Sequence, residues 1–170
     1  MRTLLAALAV LLAPAKLLAQ SGTQDQAKAL LDGMRGANPM QCELALQGMN
    51  NWWNNGPEPG RDAGAWMVIR YAAHRDVQAG SVQMLATALR DTDSCVRRVA
   101  ARLLGKSELP AARARLIEAT RDADPVMRRL GATGLGYMSD KSVTRDLVRM
   151  LDDRDPSVRA AAAWAIGAVQ

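Results

Sequence analysis

The residues of this chain that could do chemistry are few and scattered. Ala100 to Ser107 reads Ala-Ala-Arg-Leu-Leu-Gly-Lys-Ser, a loose fit to the loop in which free N–H groups and a lysine cradle a phosphate. That chemistry needs a glycine-rich loop between a strand and a helix. Here the first five residues lie inside a helical pattern and Gly105 ends it, so the phosphate reading fails on context. His74 is the single histidine, and Cys42 and Cys95 are the two cysteines, far apart in sequence. No cluster therefore has metal-ligand spacing. No nucleophile elbow, His-Glu-x-x-His motif or paired catalytic carboxylate occurs. No catalytic residue, cofactor or metal is implied, and an enzyme is the least expected class.

What the chain does carry is a set of arginines and tryptophans in patterned positions. Arg97, Arg128 and Arg159 lie 31 residues apart, and so do Asp93, Asp124 and Asp155. These two series are expected to pair as an Asp–Arg ladder across successive units. Arg98, Arg102 and Arg129 lie nearer the exposed centre of the same segments and are the candidates for meeting an acidic protein partner. Trp52, Trp53 and Trp66 cluster around a stretch rich in Asn, Gly and Pro. They either plug one end of the fold with their large apolar area or form an aromatic hot spot for a partner.

The elements that must position these residues follow from the same spacing. Val96, Val99, Ala100, Leu103 and Leu104 become Met127, Leu130, Gly131, Gly134 and Leu135, then Val158, Ala161, Ala162, Ala165 and Ile166. This is the i, i+3, i+4, i+7, i+8 stripe of an amphipathic helix. A shorter helix precedes each copy, through Ala112, Leu116, Ala119 and Thr120 or Val143, Leu147, Met150 and Leu151. The methyl group of Thr120, the one polar member, can still pack. Between the two helices stand paired aspartates, Asp122 and Asp124, then Asp153 and Asp155. The second of each pair is placed as an N-cap, with Pro125 or Pro156 at the first helical position. Gly105, Gly136 and Gly167 close the second helices and suit left-handed C-caps.

The pattern decays towards the N-terminus. Ala65, Val68, Ile69, Ala72 and Ala73, preceded by Asp62, predict one more second-type helix, followed by a partner through Leu85, Ala88 and Leu89. Earlier still, Leu30, Leu31 and Met34 precede the turn Asn38-Pro39 and a stripe of Leu44, Ala45, Gly48 and Met49. Residues 50–60 read as a loop. Helices are expected near 24–35, 39–50, 62–74, 78–90, 93–105, 109–121, 125–137, 141–151 and 156–168. A fixed period of this kind means helix pairs stacked in layers, none able to bury its apolar face alone.

Asp155 to Gly167, Asp-Pro-Ser-Val-Arg-Ala-Ala-Ala-Ala-Trp-Ala-Ile-Gly, resembles the second helix of a HEAT repeat of the short bacterial, bilin-lyase-type HEAT-like kind. Asp93 to Gly105 is similarly close. The resemblance covers roughly residues 24–170 and is specific from 78 onwards. It implies an all-α, right-handed α-solenoid of stacked two-helix repeats, with the Asp-Pro-x-Val-Arg helices on the concave side. It implies no activity, because the family is defined by packing. Iron-dependent hydroxylases built on such repeats need several His-Glu pairs, which this chain lacks. Bilin-attaching lyases work on cytosolic proteins.

Residues 1–19 have the form of a secretory signal: Arg2, an apolar run from Leu4 to Ala13, the break at Pro14 and a cut after Ala19. Domain organisation is then a signal at 1–19, a degenerate cap at 20–61 and HEAT-like repeats over 62–170. The net charge of +5 is modest and partly leaves with Arg2 and Lys16, so it does not argue for nucleic acid. Membrane insertion after signal removal is not expected. Export favours a Cys42–Cys95 disulfide, although both lie in first turns of second-type helices with the 62–74 helix nominally between them. The bond would require that helix to give up its regular layer. A protein-binding or scaffolding module of the bacterial periplasm is the expected role, or else an accessory or regulatory domain of an envelope enzyme system. The last helix exposes Ala160 to Ala163, Trp164 and Ala168, so this end is expected to be covered, by self-association or by a partner, with Trp164 central.

Overall fold

The computed structural model describes residues 27–51 and 79–169. Trp52, Trp53, Trp66, His74, the expected 62–74 helix and the 1–19 signal lie outside the described residues. Within them the fold is all-α, with eight α-helices and no strand. They are α1 (27–34), α2 (Pro39–Asn51), α3 (Ala79–Ala88), α4 (Ser94–Lys106), α5 (Pro110–Ala119), α6 (Pro125–Leu135), α7 (Thr144–Arg149) and α8 (Pro156–Ala168). The expected 141–151 helix is broken up. Its middle is α7, and 3-10 turns at Lys141–Val143 and Met150–Asp152 flank it.

Each second-type helix starts where its aspartate predicts. The Asp93 carboxylate accepts from the amides of Cys95 and Val96, that of Asp124 from Val126, and that of Asp155 from Ser157 and Val158. These bonds satisfy amides that have no partner inside the helix. The first aspartate of each turn holds the second: the amides of Asp93, Asp124 and Asp155 donate to Asp91, Asp122 and Asp153, each at 2.9 Å. At α2 the same task falls to a reciprocal pair. The Gln41 amide donates to Asn38 Oδ1 at 2.9 Å, and the Asn38 amide to Gln41 Oε1 at 3.0 Å.

The helix pairs α1–α2, α3–α4, α5–α6 and α7–α8 form successive layers around one continuous core. It runs from Leu30, Leu31 and Leu46 through Leu85, Val99 and Leu116 to Leu147 and Val158. None of the glycines at 31-residue spacing is a left-handed cap, and two of them, Gly105 and Gly136, serve this stacking. Gly136 has φ −65°, and the one positive-φ glycine among the described residues is Gly36, in the turn after α1. A Cβ on Gly105 would stand 2.1 Å from the Gly134 carbonyl oxygen of the next layer. A Cβ on Gly136 would stand 2.8 Å from Ala165 Cα. Missing side chains let these helices touch backbone to backbone. Gly131 is used within its own layer, where a Cβ would lie 2.9 Å from the Thr120 methyl carbon.

The α1–α2 layer sits directly on α3–α4. Cys42 and Cys95 are bonded, with an S–S distance of 2.07 Å and Cα atoms 5.7 Å apart. Arg35 pairs with both oxygens of Asp91 at 2.8 Å, and the Gly36 amide donates to Asp93 at 2.8 Å. The place beside α4 thus belongs to α2, across a sequence separation of 53 residues at the disulfide. The buried face of α2 keeps Ala45 of the expected stripe but not Leu44. Cys42, Ala45 and Leu46 are buried while Leu44 is exposed.

Candidate functional site

The arginine ladder exists with different partners from those the spacing suggested. Arg97, Arg128 and Arg159 do not pair with Asp93, Asp124 and Asp155, whose carboxylates are engaged by helix-cap amides. Instead each donates through Nη1 to two carbonyl oxygens of the turn before its own helix. Arg97 reaches Asp91 and Thr92 at 2.7 and 3.0 Å, Arg128 reaches Asp122 and Ala123, and Arg159 reaches Asp153 and Arg154. The first aspartate of each turn takes an arginine from the neighbouring layer: Arg35 to Asp91, Arg90 to Asp122, and Arg128 to Asp153 at 2.7 and 2.9 Å. Each turn is therefore tied to its own helix and to the neighbouring layer.

These bonds hold the carboxyls below their ordinary 3.8. The largest cause is the Arg35 guanidinium at Asp91, the Gly36 amide at Asp93 and the Asp124 amide at Asp122. At Asp153 it is Arg128, and at Asp155 the Ser157 hydroxyl. A carboxyl with a lowered folded pKa binds protons more readily in the unfolded chain. Its stabilisation is complete above the ordinary value and drains as pH falls through the folded one. The thermal midpoint should therefore fall steeply below about pH 4. Asp153→Asn should flatten part of that fall, which thermal melts across an acid series would read.

Arg98, Arg102 and Arg129 do converge. They line one cleft of about 570 Å³ between α2, α4 and α6, together with Glu43, Leu46, Gln47, Ser94, Thr133 and Tyr137. Its walls come from second-type helices, the side the repeat pattern predicts. Arg98 pairs with Glu43 at 2.6 Å, and Arg129 is exposed. Arg102 departs from expectation: it is no exposed contact residue but a buried one, 2% accessible. Tyr137, in the turn that follows α6, lies over the guanidinium with 4.2 Å from Cζ to the ring centroid. Arg102 Nε and Nη2 are sealed from solvent and find no hydrogen-bond acceptor among the described residues. Burial, the first cause, pushes the Arg102 pKa down and the Tyr137 pKa up. Neither Tyr137 nor Glu43 stood out in the sequence, since neither recurs at the repeat spacing.

Trp164 stands at the other notable surface. Its ring meets Tyr137 edge-on at 5.1 Å between centroids, yet it remains 45% exposed. Around it the last layer shows what inner layers hide. Ala101 and Ala132 are wholly buried, while their counterpart Ala163 is exposed. Gly105 and Gly136 press on the next layer, while Gly167 has nothing within 4 Å of a Cβ position. Val148 and Leu151 are exposed as well. Residues 100–107, read against the phosphate-loop pattern, are helical through Lys106, and the Ser107 hydroxyl donates to the Leu104 carbonyl at 2.7 Å. No helix among the described residues is long and apolar enough to cross a membrane.

Helix pairs stacked in layers around a continuous core define an α-solenoid, a class whose assets are its extended surfaces. Residues 113–170 match the family model for HEAT repeats. No curated protein matches it. HEAT repeats generally mediate protein–protein interaction and generally serve as non-catalytic scaffold.

Proposed function

We propose that this chain is a non-catalytic interaction module of the bacterial cell envelope that docks a helical partner surface on its C-terminal end. The observation that carries this reading is the exposed face of α8. Ala163 and Gly167 hold positions that inside the stack are always covered by another helix pair. Val148, Leu151 and Trp164 add exposed apolar area beside them. A face of this composition fits a packed protein surface, because small residues admit close backbone approach and the aromatic ring supplies an anchor. The envelope assignment draws on the signal-like residues 1–19 and on the Cys42–Cys95 bond, which suits an oxidising compartment.

The test is affinity capture of the exported protein from its own envelope fraction, with light scattering for mass. Ala163→Arg, which places a long charged side chain on the open layer, should abolish the recovered contact while the thermal midpoint stays put. Trp164→Ala should weaken that contact at least about tenfold, the usual scale of an aromatic hot spot. If the partner is a second copy, the same variants lower the measured mass. Partner recovery and mass unchanged in both variants would refute docking at this end.

A further inference from the structure

The floor of the basic cleft has no structural explanation within the stack. Arg102 is carried into the interior on α4, roofed by the Tyr137 ring, and its Nε and Nη2 have no acceptor among the described residues. A buried guanidinium without a counter-charge is costly, and well-packed apolar residues of similar volume replace such groups at little or no loss. The surroundings do not offset it. Of the cleft's charged residues among those described, Arg98, Arg102 and Arg129 are cations and Glu43 is the single anion, already paired with Arg98. Ser94, Gln47 and Thr133 add hydrogen-bonding groups on all three walls. The volume of about 570 Å³ holds several residues of an extended peptide.

We infer that this cleft is a receptor for carboxylates, taking an acidic segment of a protein partner with one carboxylate on Arg102 and a second on Arg129. The guanidinium presents Nε and Nη2 as a fork that matches a carboxylate in two parallel hydrogen bonds. Nε and Nη2 are sealed in the free chain, so the side chains that cover them, the stacked Tyr137 among them, must shift as the carboxylate enters. Arg98 steers the approach, exchanging Glu43 for the incoming acid. This surface is distinct from the C-terminal end face, and neither proposal needs the other.

The probe is a capped hexaglutamate peptide, titrated calorimetrically into the full exported chain at low salt, with hexaglutamine and citrate as controls. Hexaglutamate should bind, weaken steeply with added salt, and lose about tenfold or more in Arg129→Glu. Arg102→Met should abolish binding while leaving the thermal midpoint unchanged or raised. A merely structural Arg102 would give the reverse, a lowered midpoint with binding intact. Ala163→Arg should leave peptide binding untouched, so the end face and the cleft fail separately. Citrate binding without the peptide would overturn the protein-segment assignment. Absence of hexaglutamate binding, or equal binding to wild type and Arg129→Glu, would overturn the site altogether, whether or not Arg102→Met folds.

Discussion

Removing the Cys42–Cys95 bond is expected to lower the unfolding free energy by about 4 kcal/mol, the loop-closure figure for roughly this separation. The bond joins residues 53 apart in sequence, so the unfolded chain gains much freedom when it is cut. Leu30, Leu31 and Leu46 share the core with α3–α4, while the polar contacts among the described residues add less. Arg35–Asp91 and Arg98–Glu43 are partly exposed ion pairs, and such pairs contribute little. Cys42→Ala with Cys95→Ala, or reduction of the native protein, should lower the thermal midpoint on the order of 10 °C for a chain of this size. Because Glu43, Leu46 and Gln47 line the cleft from α2, hexaglutamate binding should fall with the bond. Intact mass before and after reduction establishes the bond. An unmoved midpoint after reduction would show that α2 is held by packing alone.

Most of this architecture was legible because stacking imposes its own arithmetic on the sequence. Asp93, Asp124 and Asp155 cap helices where their spacing places them, and Pro125 and Pro156 take first positions whose missing N–H costs nothing. What spacing could not reveal is which chemically equivalent group takes a bond. Asp122 and Asp124 are two residues apart and both anionic. Only turn geometry decides that one caps the helix while the other meets Arg90. The direction of Arg102 was hidden for a similar reason. A helical wheel puts it on the outward face, but Tyr137 from the next layer closes over it. On α2 the burial of Cys42 and Leu46 in place of Leu44 belongs to a contact between distant segments, which no local periodicity encodes.

The three repeat glycines should respond to alanine in a graded way, and the gradient tests the layered reading directly. Gly105→Ala puts a Cβ 2.1 Å from the Gly134 carbonyl oxygen and 2.8 Å from Tyr137 Cβ, so the two layers must move apart. Backbone on backbone has no rotamer to relieve it, and the cost should reach about 3 kcal/mol, the upper part of the overpacking range. Gly136→Ala meets Trp164 Cζ3 at 2.7 Å and Ala165 at 2.8 Å. The exposed tryptophan can swing aside but Ala165 cannot, so the loss should be smaller and accompanied by a change in Trp164 fluorescence. Gly167→Ala meets nothing within 4 Å. There the better helix propensity of alanine should leave the midpoint unchanged or slightly raised. Thermal melts of the three variants would read the order directly. Equal losses at all three positions would mean that these glycines serve the backbone of their own helices, not the contact between layers. A stable Gly105→Ala would remove the close approach on which the stack is built. If Gly167→Ala keeps its stability yet loses the partner recovered from the envelope, the open layer is where that partner sits.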